Sequence, residues 1–155
     1  MTAPVEQLVA TLVEHRLTLA TAESITGGMC GWAIVEVPDS GQVMLGSVVA
    51  YASAVKHRVL AVDEGPVISS RCAEQMAAGV MKLFGADCAL AFTGVAGPAE
   101  QEDQPVGTVF IAAVTGAAER TRQFRFDGDP TEIRMQSIEA GARMLSDLVS
   151  EAAGR

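Results

Sequence analysis

A serine set between a carboxylate and a pair of glycines is the part of this chain best suited to covalent chemistry. The segment reads Thr21-Ala22-Glu23-Ser24-Ile25-Thr26-Gly27-Gly28. A serine hydroxyl attacks a carbonyl well only when a base takes its proton. Lys56 is a candidate base, because a lysine held in an apolar site loses its charge, and a tyrosine such as Tyr51 can relay the proton. Tyr51 is the single tyrosine of the chain and Lys56 one of only two lysines. The plainer alternative is that Lys56 and Arg58 decorate a short surface helix. Glu23 is a candidate acid beside Ser24, or else a structural carboxylate. Gly27 and Gly28 allow a tight turn and close backbone approach, and a helix start behind them favours an anion. The hydroxyls of Ser24 and Thr26 add donors there, unless they only cap the helix. A second loop, Phe92-Thr93-Gly94-Val95-Ala96-Gly97-Pro98, is rich in small residues. Its amides can form a nest for a phosphate or a carbonyl oxygen, or simply turn the chain out of a sheet.

These loops need elements to hold them, and the apolar spacing supplies a set. Met1, Val5, Leu8 and Leu12 predict a first helix to about Arg16, and residues 17–21 a short buried strand. Residues 24–28 form a turn, and 29–37 a helix stopped by Pro38. A β-rich run over 44–52 precedes a short helix over 54–60. Ser69 or Ser70 caps a helix that ends at Gly85. Residues 86–93 read as a buried strand. Residues 106–114 and 121–126 read as paired strands around a turn at 115–118. Asp129-Pro130-Thr131-Glu132 has the form of a helix start, and Met135, Ile138, Ala142, Leu145 and Val149 give the last helix one apolar face. The acidic run Glu100-Gln101-Glu102-Asp103 is expected at a mobile loop tip. Alternation of helices and strands predicts an α/β fold, a three-layer α/β/α sandwich. The hairpin makes its sheet mixed, and residues 1–155 form a single domain. Ligands of such sheets gather where strand ends meet helix starts.

Composition narrows the function. The chain has 155 residues, 49% of them apolar, which excludes intrinsic disorder. No apolar run reaches the roughly 20 residues of a membrane-spanning helix. A net charge of −8 with only 5% aromatics argues against a nucleic-acid surface. The three cysteines have no CxxC spacing and the N-terminus lacks the look of a secretory signal, so a reduced cytoplasm is the expected compartment. With two histidines far apart, neither a zinc site nor a histidine-based triad has much to draw on.

Taken in order, several blocks resemble one family. They are Thr-Ala-Glu-Ser-x-Thr-Gly-Gly at 21–28, Gly46-x-Val48-Val49-x-Tyr51 with Lys56, and Thr93-Gly94-Val95-Ala96-Gly97-Pro98. Pro105-Val106-Gly107-Thr108-Val109 follows, then Phe124-x-Phe126-x-Gly128-Asp129 and Ile133-Arg134. Over about residues 5–150 the chain is similar to the C-terminal domain of the CinA (competence/damage-inducible) proteins. The resemblance implies an amidohydrolase that converts nicotinamide mononucleotide and water to nicotinate mononucleotide and ammonia, in pyridine nucleotide salvage. It implies Ser24 as nucleophile, with Tyr51 and Lys56 as its catalytic partners, and no metal or other cofactor. Thr26, Gly27, Gly28, Thr93, Gly94, Gly97 and Arg134 are the expected substrate-binding residues. Amides near Gly27 or Gly94 are expected to hold the oxyanion, and Arg134 with the 26–28 turn the phosphate. The resemblance implies that self-association is common in proteins of this type, and the apolar surplus permits a homodimer. The chain departs from the family pattern at Ile25, at Gly65-Pro66-Val67-Ile68 and at Ala99-Glu100-Gln101. The last change removes two glycines and adds negative charge near a site for a phosphorylated substrate. Two other readings remain: a non-catalytic nucleotide-binding or interaction protein on the same scaffold, and a different amidase using the same serine and lysine.

Overall fold

A computed structural model describes residues 2–154, so Met1 of the first apolar stripe lies outside it. The chain opens with helix α1 (Ala3–His15), whose Val5, Leu8, Val9 and Leu12 are buried along one face. Arg16 closes it in the left-handed conformation, and Leu17 bonds back to the Leu12 carbonyl, which delays the first strand. Strand β1 is Leu19–Glu23, two residues later than expected, and is buried throughout. Helix α2 (Met29–Val35) and a short 3-10 turn (Ser40–Gln42) lead to β2 (Met44–Val49). Two helices follow, α3 (Ser53–Leu60) and α4 (Ser70–Phe84). Ser69 caps α4 by accepting from the Cys72 N–H, and Gly85 ends it in the left-handed region. The chain finishes with β3 (Cys88–Gly94), the hairpin β4 (Thr108–Thr115) and β5 (Glu119–Arg125), and the long helix α5 (Pro130–Ala153). Asp129 and Glu132 form the reciprocal capping box that their spacing foretold.

The five strands make one mixed sheet in the order β2-β1-β3-β4-β5. β2, β1 and β3 run parallel, while β4 runs antiparallel to β3 and to β5. One apolar layer joins α1, α2 and α5 to the sheet, through residues such as Leu8, Ile34, Phe92, Ile111 and Leu145. A second layer lies under α3 and α4, through Leu60, Met76, Val80 and Ala89. The architecture is therefore the three-layer α/β/α sandwich. Its connectivity has one consequence for function. After β1 the chain crosses one face through α2 to reach β2. After β2 it crosses the other face through α4 to reach β3, on the far side of β1. Helices leaving to opposite faces open a crevice at the carboxyl ends of β1 and β3. Among the described residues, no helix is long and apolar enough to cross a membrane.

Candidate active site

The strand register brings the three parallel carboxyl ends level. Glu23 stands beside Val49 on one side and Phe92 on the other. The next residue, Ser24, donates its N–H to the Phe92 carbonyl at 3.0 Å, which fixes the serine where β1 and β3 diverge. Ser24 lines a cavity of about 250 Å³ together with Tyr51, Lys56, Gly94, Gly97 and Arg134. Val67 and Ile68, from the loop before α4, and Ala99 and Gln101 complete the rim. The fold thus gathers residues 24, 51, 56, 94, 97 and 134 around one space. A larger cleft of about 450 Å³ lies at the opposite end of the sheet, beside Leu17, Cys88 and Thr115, away from Ser24.

Lys56 is the unusual residue. It sits on a short helix that reads as surface, yet the whole residue is only 2% exposed. Its Nζ donates to the Tyr51 carbonyl at 3.2 Å, and among the described residues it has no carboxylate within ion-pair distance. Burial pulls its pKa below the ordinary 10.5, against the opposing pull of Cys72 and Glu102 nearby. A lysine so placed is more readily neutral, which is the form that takes a proton. Burial in turn pushes the Cys72 thiol up to about 11. Tyr51 is arranged differently from a relay. Its main-chain oxygen holds Lys56, while the residue itself is 74% exposed at the cavity mouth.

The two glycine amides of the turn after Ser24 are engaged within the protein. Glu23 is fully buried beside them. Its carboxylate accepts from the N–H groups of Gly28 at 3.0 Å, Cys30 at 2.9 Å and Gly31 at 2.8 Å, and from the Thr21 and Ser47 hydroxyls. The start of α2 attracts an anion as its geometry predicts, but the anion is the protein's own. Glu23 is accordingly a structural carboxylate and not an acid facing Ser24. Gly28 adopts φ +98, a conformation that L side chains rarely take, and this aims its N–H at Glu23. The Gly27 N–H is spent on the Ser24 carbonyl. Neither glycine therefore offers a donor to an oxyanion or a phosphate. Thr26 is buried, and among the described residues its hydroxyl has no partner. The N–H groups of Ile25 and Thr26 likewise find no acceptor among the described residues, which leaves donors immediately after Ser24.

The second loop fits the cavity more closely. Gly94 packs so near the next strand that a Cβ there would sit 2.5 Å from the Thr108 carbonyl oxygen, so only glycine lets the wall close. Gly97 precedes a cis peptide bond to Pro98. Thr93 is buried and donates to the Val67 carbonyl, tying the cavity wall to the loop before α4 instead of facing the space. Arg134 reaches from the first turns of α5 and donates its Nε to the Ile25 carbonyl at 2.9 Å. It forms no ion pair among the described residues, so the rest of its guanidinium is unspent.

The acidic run is no loose tip. Residues 101 and 104 form a β-bridge, with Glu102 and Asp103 both at positive φ. The Glu102 carboxylate accepts from the N–H of Val67 at 2.9 and 3.1 Å and from that of Ile68 at 2.7 Å. It braces two residues of the cavity wall from behind, and its charge acts on Lys56. No local pattern announced this bond, because its two ends are 34 or 35 residues apart. Elsewhere, His57 bonds the Val62 carbonyl at 2.8 Å and plays no part at Ser24. Among the described residues no cluster of three His, Cys, Asp or Glu side chains could hold a metal.

Comparison with known proteins points the same way as the motifs. The CinA C-terminal domain family profile matches residues 1–149. A CinA-like protein of Frankia casuarinae is 43% identical over 146 residues, covering 88% of this chain and 34% of that protein. A putative competence-damage inducible protein of Bacillus velezensis is 34% identical over 155 residues, covering 97% and 37%. The chain thus spans about a third of the length of the curated relatives it matches. Among solved structures, a CinA superfamily protein from Klebsiella pneumoniae superposes with a TM-score of 0.92 at 29% identity, over 96% of each chain. The competence/damage inducible protein CihA from Agrobacterium tumefaciens gives 0.87 at 29% identity, over 96% of this chain and 97% of that one.

Proposed function

This chain belongs to the CinA C-terminal domain family, and from that premise we propose that it hydrolyses the carboxamide of nicotinamide mononucleotide. The products are nicotinate mononucleotide and ammonia. One observation carries the reading: Ser24 shares a small cavity with a buried lysine whose pKa is lowered. The Ser24 hydroxyl attacks the carboxamide carbon while neutral Lys56 takes its proton. The N–H groups of Ile25 and Thr26 hold the oxyanion, a contribution of about 3 kcal/mol per donor in well-studied enzymes. The Lys56 ammonium then protonates the departing nitrogen, ammonia leaves, and the acyl-serine remains. Water, deprotonated by Lys56, attacks that ester and frees Ser24. The Tyr51 carbonyl orients Lys56, and the Tyr51 ring stands at the mouth where the nucleotide enters. Arg134 is the cation for the phosphate.

Ammonia release from nicotinamide mononucleotide tests the reading, with Ser24→Ala and Lys56→Met as comparisons. Turnover is expected only in the unchanged protein, at least about 1,000-fold above either variant. No ammonia at high enzyme concentration would sink the activity, and nucleotide binding without turnover would favour a binding protein. Turnover undiminished in Ser24→Ala would sink the mechanism instead. One observation favours a second reading, an amide without a phosphate: the Glu102 carboxylate already stands beside the cavity. Faster hydrolysis of nicotinamide riboside than of the mononucleotide would select it.

A further inference from the structure

We propose that Gln101 is a specificity-determining residue of the Ser24 cavity, holding the adjacent hydroxyls of a substrate's sugar. This role rests on the amidase reading above, and it is the same whether or not the substrate carries a phosphate. The polar side chains that line the space are Ser24, Tyr51, Ser53, Lys56, Gln101 and Arg134. In that reading Ser24 and Lys56 act on the carboxamide, and Arg134 is the cation for a phosphate. Gln101 is the one carboxamide of the set. It accepts at its oxygen and donates at its nitrogen, so it can pair with a group that does both.

The turn that carries Gln101 is acidic, yet it offers the cavity a neutral group. Ala99 and Gln101 line the space, whereas Glu100, Glu102 and Asp103 do not. The Glu102 carboxylate is spent on the N–H groups of Val67 and Ile68. Backbone bonds between Gln101 and Gln104, at 2.8 and 3.4 Å, close the turn. Gln101 is thus presented from a fixed backbone, and among the described residues its side chain makes no hydrogen bond within the protein. An unspent group on a backbone already ordered loses little freedom when a ligand arrives.

Position decides which part of a substrate it meets. Glu102 ties the turn to the loop before α4, whose Ile68 packs in the layer under that helix, so Gln101 stands on this side of the cavity. Arg134 comes from α5, which packs on the other face of the sheet, and holds the Ile25 carbonyl. With the carboxamide at Ser24 and a phosphate at Arg134, the wall at Gln101 is left for the sugar that joins them. A ribose presents two adjacent hydroxyls, each able to donate and to accept, and one carboxamide satisfies both through its oxygen and an N–H. A carboxylate in its place could only accept, and would repel the phosphate.

Turnover of nicotinamide mononucleotide and of its 2′,3′-dideoxy analogue tests the assignment. In the unchanged chain the analogue should have a KM roughly 10-fold higher, with kcat little altered. Gln101→Ala should raise the KM for the mononucleotide roughly 10-fold and leave that for the analogue where it was. Its melting temperature should match the parent's, because no bond within the protein is lost. Calorimetric titration of the mononucleotide into Ser24→Ala, with and without Gln101→Ala, reads the same contact without turnover, and Kd should weaken roughly 10-fold. Binding that depends on Gln101 with no ammonia released by the unchanged chain would remove the amidase reading and leave the sugar contact standing. Turnover with a KM indifferent to Gln101→Ala would overturn the contact and leave the amidase. An equal loss on the analogue would also overturn it, because the side chain would then shape the wall without holding the hydroxyls. A folded chain that binds no mononucleotide would overturn both.

Discussion

Glu23 and Glu102 are chemically the same device in two settings. Each carboxylate accepts hydrogen bonds from backbone amides near the start of a helix, and each flanks the Ser24 cavity. Glu23 is fully buried, held by three N–H groups and two hydroxyls, and comes from a central strand. Glu102 is exposed, held by two N–H groups, and comes from a turn with two residues at positive φ. The first is part of the framework that aims Ser24. The second braces the Val67 and Ile68 side of the cavity. The difference teaches that an anion-attracting amide cluster in this fold is not by itself a ligand site. Two such clusters are satisfied from within, which leaves Lys56 and Arg134 as the basic side chains of the cavity.

The comparison predicts unequal losses. Glu23→Ala leaves several buried donors unpaired and should cost about 3 kcal/mol or more. For a domain of this size that is a fall of roughly 10 °C in Tm, checked by calorimetry. Loss of activity should accompany it. A change under about 1 kcal/mol would break the contrast by showing that water replaces the carboxylate. Glu102→Gln keeps the shape and removes the charge, and should cost about 1 kcal/mol by urea titration. Its sharper effect is on Lys56. The Glu102 charge raises the Lys56 pKa, partly offsetting burial. With Lys56 as base, activity rises with pH as the amine deprotonates, so Glu102→Gln should move that limb to lower pH. An unmoved limb would separate Glu102 from the chemistry.

Stability should carry the same signature. Burial lowers the Lys56 pKa in the folded chain, so the unfolded chain binds more protons between that value and about 10.5. Folding therefore strengthens as pH rises through this window, and the Lys56→Met variant should lose that slope. Parallel slopes in the two proteins would show that Lys56 is effectively hydrated. The smallest expected effect is at Glu100, which accepts no hydrogen bond among the described residues. Glu100→Gln should stay within about 0.5 kcal/mol of the parent. A larger effect would mean that bulk acidity of the loop, and not the Glu102 bonds, shapes this wall.

Most elements were legible because their signals are local. The Ser69 and Asp129 caps, the Gly85 stop and the α5 stripe are written within a few residues of where they act. β1 began two residues late because its register is set by a distant strand, Leu19 pairing with Cys88, after Arg16 and Leu17 close the helix. The site was legible as a set of residue types. Its wiring was not. The burial of Lys56 depends on packing under α3 and α4, which periodicity over eight residues does not reveal. The competition of Glu23 for the glycine turn is visible in principle, since the carboxylate precedes its amides by five to eight residues. The docking of Glu102 on residues 67 and 68 has no local trace at all.

The parallel pairing of β1 with β3 also bears on the order in which the molecule folds. Thr18 and Asp87, bonded where these strands begin, are 69 residues apart. β4 and β5 are joined by a turn of three residues, and β3 precedes β4 by a single loop. Loop-closure entropy favours the β3–β4–β5 meander forming first, with β1 and β2 added afterwards. The amides of Gly28, Cys30 and Gly31 that Glu23 holds should then gain protection later than those of β4 during pulse-labelled refolding. Simultaneous protection would refute that order. If the order holds, the Ser24 cavity is closed by the last strands to arrive, and a chain arrested before that step has β3, β4 and β5 paired but Ser24 not yet set beside Phe92.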